Sequence, residues 1–198
     1  MANKVRLGFV PLVDCAIPVV ARAMGFAQQE DIDLELVREM SWAAIRDKLS
    51  FGMFEAAHLL AGIPIAARLG LGGLPVQNIV VPMALGRGGN AITVSTQLYQ
   101  RMLEADPNAM LGPRGRSARA LKKVIDEDKA EGRPILSFAT VFPFSSHNYE
   151  LRYWMAAAGI DPDMDVNIGV IAPPRMFDSL RNGWVDGYCV GEPWNQRA

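Results

Sequence analysis

The sequence predicts an α/β protein in which two similar lobes each contain a mainly parallel sheet. Short apolar runs alternate with stretches of helical periodicity along the chain, which is the pattern of βαβ units. A glycine-rich segment, GRGGNAITVS at residues 86–95, interrupts this alternation and suggests that the chain crosses from one sheet to another. One plan also occurs twice, at residues 49–64 and 180–193: a leucine, a glycine, an acidic residue three positions later and then Gly-x-Pro. This repetition favours two related supersecondary units.

Residues 1–88 are predicted to form the N-terminal part of the first lobe. We expect strands at residues 5–10, 32–37, 54–60 and 79–85, and helices at residues 15–27, 41–52 and 64–69. Ser41 has the character of a helix N-cap, and Ile17, Val20 and Met24 share one face of the first helix. Pro82 cannot donate a backbone hydrogen bond, so the fourth strand belongs at a sheet edge or at a bulge.

Residues 89–190 are predicted to form the second lobe. Its strands are expected at residues 91–94, 135–141, 166–171 and 185–190, with helices within 96–133, at 146–158 and at 174–181. The first of these helical stretches breaks at the sequence Asp-Pro-Asn, residues 106–108. The last residues, 191–198, are expected to be a second crossing towards the first lobe, cut short so that the C-terminal part of that lobe is missing.

The composition excludes several classes of partner and compartment. A formal net charge of −1 provides no overall field for nucleic acid, and no apolar run reaches the length of a membrane span. Two cysteines, Cys15 and Cys189, do not make a disulfide framework and are expected to be buried thiols. The first residues do not form a secretory signal, which predicts a cytoplasmic protein, or a periplasmic one if a leader was removed.

No catalytic or metal-binding motif is present, so we expect no enzyme, no metal and no cofactor. The sequence contains no GxSxG, Walker A, HExxH or CxxC pattern. The two histidines, His58 and His147, lack the spacing of metal ligands. His58 lies within an apolar run, where a hydrogen-bonded core histidine is the expected environment.

Two predicted helix N-termini follow strands and are candidate anion sites. One begins at Ser41-Trp42 and the other at Ser145-Ser146-His147, and Asn90 in the glycine-rich crossing could reach a cleft between the lobes. Helix N-termini present unpaired N–H groups and a positive dipole end, while serine, asparagine and tryptophan add neutral donors. These groups suit a small planar monoanion bound at the carboxyl ends of the strands. Each of them alone is also typical of a cap or a core residue.

Six segments taken together resemble a known family. They are VRLGFVPLVDCA, SWAAIRDKL, EAAHLLAGIPIA, GGNAITVS, FPFSSHNYELRYWMAAAGIDPDMDV and PPRMFDSLRNGWVDGYCVGEPW. In this order they resemble the nitrate/bicarbonate-binding branch of ABC-transporter substrate-binding proteins, from about residue 4 to residue 198. Within this branch the chain looks most like the cytoplasmic nitrate and nitrite sensor of bacterial nitrate assimilation.

The resemblance implies a type II periplasmic-binding-protein fold that closes like a hinge on an anion. It assigns ligand contacts to Trp42, to Asn90, to the backbone at Ser145, Ser146 and His147, and to Gly191 with the adjoining Glu192. Asn90 stands where transporter relatives are expected to have glutamine, and the serines stand where glycines are expected. Members of the family are about twice as long as this chain. A basic side chain expected to neutralise the anion lies in the later part of their sequences, beyond the residues that this chain matches. An incomplete lobe would expose apolar surface through which the chain could form an oligomer.

The resemblance implies a sensor that binds nitrate or nitrite and controls an RNA-binding antiterminator. The alternative is the transport component that delivers nitrate, bicarbonate or a sulfonate to an ABC permease. A third possibility is an enzyme similar to the thiamine-pyrimidine synthases, which share the fold. Two isolated cysteines disfavour the enzyme, because those synthases use a cysteine-rich stretch.

Overall fold

The structure, a computed structural model, describes residues 2–73, 76–112 and 116–198. The strands are β1 Asn3–Phe9, β2 Ile32–Arg38, β3 Ala56–Ala57, β4 Asn90–Val94, β5 Ser137–Thr140, β6 Asn167–Val170 and β7 Gly187–Gly191. The helices are α1 Ala16–Ala23, α2 Phe26–Gln29, α3 Trp42–Ser50, α4 Gly62–Arg68, α5 Thr96–Ala105, α6 Pro107–Leu111, α7 Ser117–Glu131, α8 Ser146–Ala156 and α9 Met176–Arg181.

The strands form two sheets, and parallel pairing dominates both. The first sheet has the order β2-β1-β3, and both of its pairs are parallel. The second has the order β4-β7-β5-β6, in which only the β4–β7 pair is antiparallel. The predicted α/β class with mainly parallel sheets is therefore confirmed. β7 extends through Gly191, one residue beyond the boundary expected from the sequence.

The repeated plan in the sequence corresponds to a repeated hydrogen-bonding arrangement. In the first sheet, Glu55 accepts a hydrogen bond from the backbone N–H of Arg6 at 2.8 Å, and its own N–H donates to the Arg6 carbonyl at 3.1 Å. In the second, Asp186 accepts from the backbone N–H of Ser137 at 2.8 Å and donates back to the Ser137 carbonyl at 2.7 Å. The strand order β2-β1-β3 is repeated as β6-β5-β7. The two sheets are thus built from the same unit, with β4 added to the second.

One apolar cluster joins the two sheets. Its buried members from both halves of the chain are Val10, Leu12, Trp42, Ile45, Leu60, Ile63, Ala139, Val141, Phe142, Met176, Val185, Tyr188, Val190 and Trp194. The guanidinium of Arg46 stacks over the Phe142 ring, 5.4 Å from its centroid. The carbonyl oxygen of Phe144 approaches Gly62 so closely that an added Cβ would overlap it. Helices α3 and α4 beside the first sheet therefore contact the segment that follows β5 of the second sheet.

A second cluster fills the far side of the second sheet. It contains Leu98, Met102, Ala109, Ala120, Leu121, Val124, Ile125, Leu136, Phe138, Leu151, Met155, Ile160, Val166 and Cys189. The helices that supply half of these side chains, α5, α6 and α7, are those predicted within residues 96–133, with the break at Asp106. Asp106 caps α6 by accepting a hydrogen bond from Ala109 at 2.9 Å.

The helix predicted at residues 15–27 is divided in the structure. Gly25 adopts a φ of 77°, a left-handed conformation that ends α1 and allows α2 to begin at Phe26. The shared face of Ile17, Val20 and Met24 is exposed, with Met24 64% accessible. The periodicity of the sequence identified this face correctly, but no apolar side chains of the described residues pack against it.

The strand predicted at residues 79–85 is wrong. The structure has no regular secondary structure there, and Val80 and Val81 are 83% and 63% exposed. Pro82 removes one backbone donor, and no other described strand pairs with this segment. The strand predicted at residues 54–60 shrinks to the two residues of β3.

Both cysteines are buried and free, as the sequence predicts. Burial raises the pKa of Cys189 to about 12, so its thiol stays protonated at neutral pH. None of the helices described is long and apolar enough to cross a membrane.

Candidate functional site

The residues predicted to contact a ligand lie at the carboxyl ends of the parallel strands. Trp42 begins α3 four residues after β2, and Ser146 and His147 begin α8, which follows β5. Asn90 at the start of β4 pairs in register with Gly191 at the end of β7. Because the strands of both sheets end towards the shared apolar cluster, loops of both sheets meet at this edge.

Trp42 is held at the start of α3 by a regular N-cap. The Ser41 hydroxyl accepts a hydrogen bond from the backbone N–H of Ala44 at 3.2 Å, as predicted for this serine. The Trp42 side chain is 1% exposed, and its indole Nε1 has no hydrogen-bond partner. A buried N–H without a partner costs roughly 1–3 kcal/mol, so an acceptor supplied by a ligand would relieve this cost.

His58 packs edge-on against Trp42, with ring centroids 5.1 Å apart at an angle of 73°. Its Nε2 lies 3.1 Å from Oδ2 of Asp14, whereas its Nδ1 is buried without a partner. The expectation of a fully hydrogen-bonded core histidine is therefore only half right. Burial, the largest single effect, would raise the pKa of Asp14. The hydrogen bond and charge of His58, a backbone hydrogen bond and the charge of His147 together outweigh it, so the pKa lies below its usual value.

At the start of α8 the three predicted residues have different roles. Ser145 is fully buried, and its hydroxyl donates to the Phe142 carbonyl at 2.6 Å and accepts from the Asn148 N–H at 3.1 Å. The Ser145 side chain is therefore fully used as a cap. Ser146 is exposed and accepts from Asn90, while His147 is 5% exposed with an unpartnered Nδ1.

His147 is uncharged at neutral pH. Burial lowers its pKa from 6.5 to about 4, although the nearby negative charge of Asp14 acts in the opposite direction. A neutral imidazole carries one N–H donor and one acceptor. His147 can therefore offer a hydrogen bond to an anion without contributing a positive charge.

Asn90 joins the glycine-rich crossing to α8. Its Nδ2 donates to Ser146 Oγ at 3.0 Å and lies 3.1 and 3.2 Å from the two carboxylate oxygens of Glu150. Across the ladder, Gly191 leaves room for neighbouring side chains, because an added Cβ would lie 2.8 Å from Leu12 Cδ2. The same position would be 3.6 Å from His147 Nε2, so Asn90, Gly191 and His147 are brought together.

Glu192 connects the end of β7 to the first sheet. Its carbonyl accepts from the N–H of Val13 at 2.9 Å, and its carboxylate accepts from the N–H of Gln196 at 3.2 Å. Two residues later the indole N–H of Trp194 donates to the Pro11 carbonyl at 3.2 Å. The side chain of Glu192 is thus occupied within its own turn, and the backbone of this segment ties the sheets together.

Sequence reasoning missed Asp14 and Thr140 as site residues and placed His58 in the core. Thr140, the last residue of β5, is 2% exposed, and its hydroxyl has no partner. Thr140 ends β5, Asp14 follows β1 and His58 follows β3, so all three lie at or beyond the carboxyl end of a parallel strand. A polar residue at or after the end of a predicted strand is the sequence signal that could have identified them.

Among the described residues, the buried side-chain N and O atoms without a partner are Trp42 Nε1, His58 Nδ1, Thr140 Oγ1 and His147 Nδ1. They all lie near strand ends. Trp42 Nε1 can only donate a hydrogen bond, whereas the threonine hydroxyl can donate or accept and each histidine Nδ1 does one or the other according to its tautomer. The same described residues contain no group of three or more His, Cys, Asp or Glu side chains arranged to hold a metal ion. The arrangement is suited to binding through neutral hydrogen bonds.

Comparison with known families and proteins identifies related chains. The profile of the family described as NMT1-like matches residues 2–198. The nitrate import ATP-binding protein NrtC of Synechocystis is 39% identical over 193 residues, which are 97% of this chain and 27% of NrtC. The bicarbonate transport ATP-binding protein CmpC of Synechocystis is 41% identical over 198 residues, 98% of this chain and 27% of CmpC. The nitrate/nitrite binding protein NrtA of Nostoc is 33% identical over 202 residues, which are 98% of this chain and 41% of NrtA.

A solved structure shows the same relationship. The crystal structure of the periplasmic nitrate-binding protein NrtA from Synechocystis superposes with a TM-score of 0.83 at 25% identity, covering 98% of this chain and 48% of that one. The aliphatic sulphonate binding protein SsuA of Escherichia coli matches with a TM-score of 0.55 at 13% identity, a likeness of fold alone. The predicted periplasmic-binding-protein fold is confirmed. The chain spans about half of the NrtA structure, and 27%, 27% and 41% of the NrtC, CmpC and Nostoc NrtA sequences.

These findings confirm the predicted relationship to nitrate- and bicarbonate-binding proteins of ABC transport. Between the two predicted roles they favour the transporter component over the cytoplasmic sensor, because the named relatives are transport and binding proteins.

Proposed function

Because the chain belongs to the NMT1-like family, we propose that it is the anion-binding part of a substrate-binding component of an ABC importer for nitrate or bicarbonate. Relatives that carry these ligands in their names support this choice. The proposed role is non-enzymatic: the protein binds the anion between two lobes, residues 1–88 and 89–190, and presents it to a permease. A periplasmic location goes with this role, as in the Synechocystis NrtA structure.

The observation that carries the proposal is the unpartnered indole N–H of Trp42. Trp42 is buried in the cluster that both sheets share, so a ligand can reach its Nε1 only when the two surfaces separate. An oxyanion placed there would accept from Trp42 and reach donors at the start of α8. Opening, binding and closing would then form one cycle, in which the anion favours the closed state by satisfying groups that are otherwise unpaired.

The proposed ligand contacts are Trp42, His147 and the backbone at Gly191, with Asn90 at the rim. Ser145 supports the start of α8 through its cap, and Ser146 positions Asn90. The carboxylate of Glu192 is excluded from direct contact because it is held by Gln196. A planar monoanion fits these contacts. The donors are neutral and the site is buried, so a second negative charge on the ligand would not be compensated.

Isothermal titration with nitrate, nitrite, bicarbonate and an alkylsulfonate tests the proposal. The wild-type protein is expected to bind nitrate or bicarbonate with measurable heat. Trp42→Phe keeps an aromatic ring but removes the N–H donor, and should weaken binding by about tenfold, the value of one lost hydrogen bond of about 1.4 kcal/mol.

Trp184→Phe is the matched control, because Trp184 is 70% exposed and lies outside the site. Thermal unfolding of both variants separates lost affinity from lost stability. Absence of heat with all four anions for the wild type would reject the binding function. Unchanged affinity in a folded Trp42→Phe protein would reject the site.

A second candidate is an anion-responsive region that acts on an ATPase. The chain is 39% and 41% identical to two ATP-binding transport proteins, compared with 33% to NrtA of Nostoc. The same anion site would then regulate transport rather than deliver the ligand. Co-purification with the ATP-binding subunit of the importer would support this candidate, while anion-dependent binding to the permease alone would support delivery.

A further inference from the structure

His58 has two ring nitrogens in different environments. Nε2 lies 3.1 Å from the Asp14 carboxylate, and Nδ1 is buried with no partner on a side chain that is only 3% exposed. An ionised carboxylate can only accept hydrogen bonds, so the proton of a neutral His58 resides on Nε2. Nδ1 then carries a lone pair and acts as an acceptor.

Trp42 supplies the complementary group. Its indole nitrogen can only donate, and its ring contacts the His58 ring at a centroid distance of 5.1 Å. The two rings thus contribute one unpartnered donor and one unpartnered acceptor at the same strand ends. A ligand that both accepts and donates would satisfy both atoms, whereas a ligand that only accepts would leave the His58 lone pair facing another lone pair.

On the premise of the proposed function, we propose that His58, oriented by Asp14, is a specificity-determining residue that favours bicarbonate over nitrate at neutral pH. Bicarbonate carries one O–H, which donates to His58 Nδ1 while another oxygen accepts from Trp42. Nitrate has no proton to donate. Its oxygens only accept hydrogen bonds, so nitrate would leave the His58 Nδ1 lone pair unsatisfied.

The other charged groups near this pair are already engaged. On the neighbouring α3, Arg46 pairs with Asp47, and Lys48 pairs with Glu39. On β1, Arg6 pairs with Glu55.

The groups on the opposite sheet are also accounted for. Glu150 on α8 is held by Asn90, and His147 is neutral at neutral pH. Among the described residues, the ion pair recorded for His58 is the one with Asp14, which controls which nitrogen carries the proton.

The test is the ratio of bicarbonate to nitrate affinity, measured by titration calorimetry at a single pH of about 8, where bicarbonate is the main dissolved form of carbonate. The wild type should favour bicarbonate. In Asp14→Asn, the amide can donate to Nε2, which moves the proton of neutral His58 to Nδ1 and turns the acceptor into a donor. The ratio should then shift about tenfold towards nitrate, as expected for exchanging one repulsive contact for a hydrogen bond.

Asp178→Asn is the control, since Asp178 lies on α9 and pairs with Arg181. A ratio that does not respond to Asp14→Asn would overturn the assignment of His58 while leaving anion binding intact. Failure of the wild type to bind either ion would overturn the proposed function and this inference with it.

A second measurement does not depend on ligand binding or on the stability of a variant. Nitrogen-15 NMR of the wild type should show His58 as the tautomer protonated on Nε2 at neutral pH. Finding the Nδ1-protonated tautomer would reject the proposal directly.

Discussion

Glu55 and Asp186 occupy equivalent positions in the two sheets, each exchanging hydrogen bonds with the backbone of the neighbouring strand. Glu55 does so with Arg6, and Asp186 with Ser137. In each sheet, an acidic residue three positions after a glycine therefore fixes the register between two paired strands. Their surroundings differ, because Asp186 is half-buried and Glu55 is exposed.

Replacing these two acids should have unequal effects on stability. Asp186→Ala leaves the N–H of Ser137 without its side-chain acceptor in a partly buried position, and should lower the free energy of unfolding by about 1–2 kcal/mol. Glu55→Ala should have the smaller effect, since water can replace the exposed carboxylate. Urea unfolding of both variants measures the difference, and an equal or larger loss for Glu55→Ala would contradict it.

Stability should depend on pH through His147. Its pKa is about 4 in the folded protein and 6.5 in the unfolded reference, so between these values the unfolded chain binds a proton that the folded chain does not. The free energy of unfolding therefore falls as the pH decreases from 6.5 towards 4. Between pH 7 and pH 5 the wild type should lose about 2 kcal/mol more than His147→Gln, at about 1.4 kcal/mol per pKa unit.

Asp14 contributes in a different window. Its pKa lies below 3.8, so the stability that it provides is lost only as the pH falls below that value. Urea unfolding at pH 7 and pH 5 therefore isolates His147. Equal losses for wild type and His147→Gln would mean that the buried ring accepts its proton without unfolding.

Gly187 should be intolerant of a side chain, and Gly169 should accept one. A Cβ at Gly187 would lie 2.8 Å from the Phe138 ring and 2.9 Å from the Thr93 carbonyl oxygen, where the neighbouring strand cannot move freely. At Gly169 the nearest atom would be 4.0 Å away. Gly187→Ala should reduce stability by about 1–3 kcal/mol, and Gly169→Ala by less than about 0.5 kcal/mol. Thermal unfolding of the two variants compares them directly, and similar midpoints would argue against the tight packing of β7.

Asp128 should matter far more than Asp126, although both lie on α7. Asp128 is 5% exposed and accepts from both Arg101 and Arg133, so its removal leaves Arg101 without its acceptor and Arg133 paired with Glu131 alone. Asp126 pairs with Lys122 at the surface. Asp128→Ala should cost about 3 kcal/mol of unfolding free energy, and Asp126→Ala less than about 0.5 kcal/mol. Chemical denaturation measures both, and a loss below about 1 kcal/mol for Asp128→Ala would show that the pair is not a structural requirement.

Local sequence signals determined the fold class and the positions of the caps. The alternation of apolar runs and helical stretches predicted parallel sheets, because βαβ connections return the chain to the same edge. Ser41 and Ser145 were identified as helix starts, and both accept the capping hydrogen bond. The repeated plan predicted two related units before their shared strand order was known.

The tertiary structure alone decided which polar atoms are left unpaired. Asp14 and His58 lie 44 positions apart in sequence, and only the parallel pairing of β1 with β3 brings them within 3.1 Å. Trp42 is buried in a cluster to which residues from both halves of the chain contribute. The segment 79–85 had the composition of a strand but found no partner. Burial and pairing depend on surfaces brought together from distant parts of the chain, and local composition does not encode them.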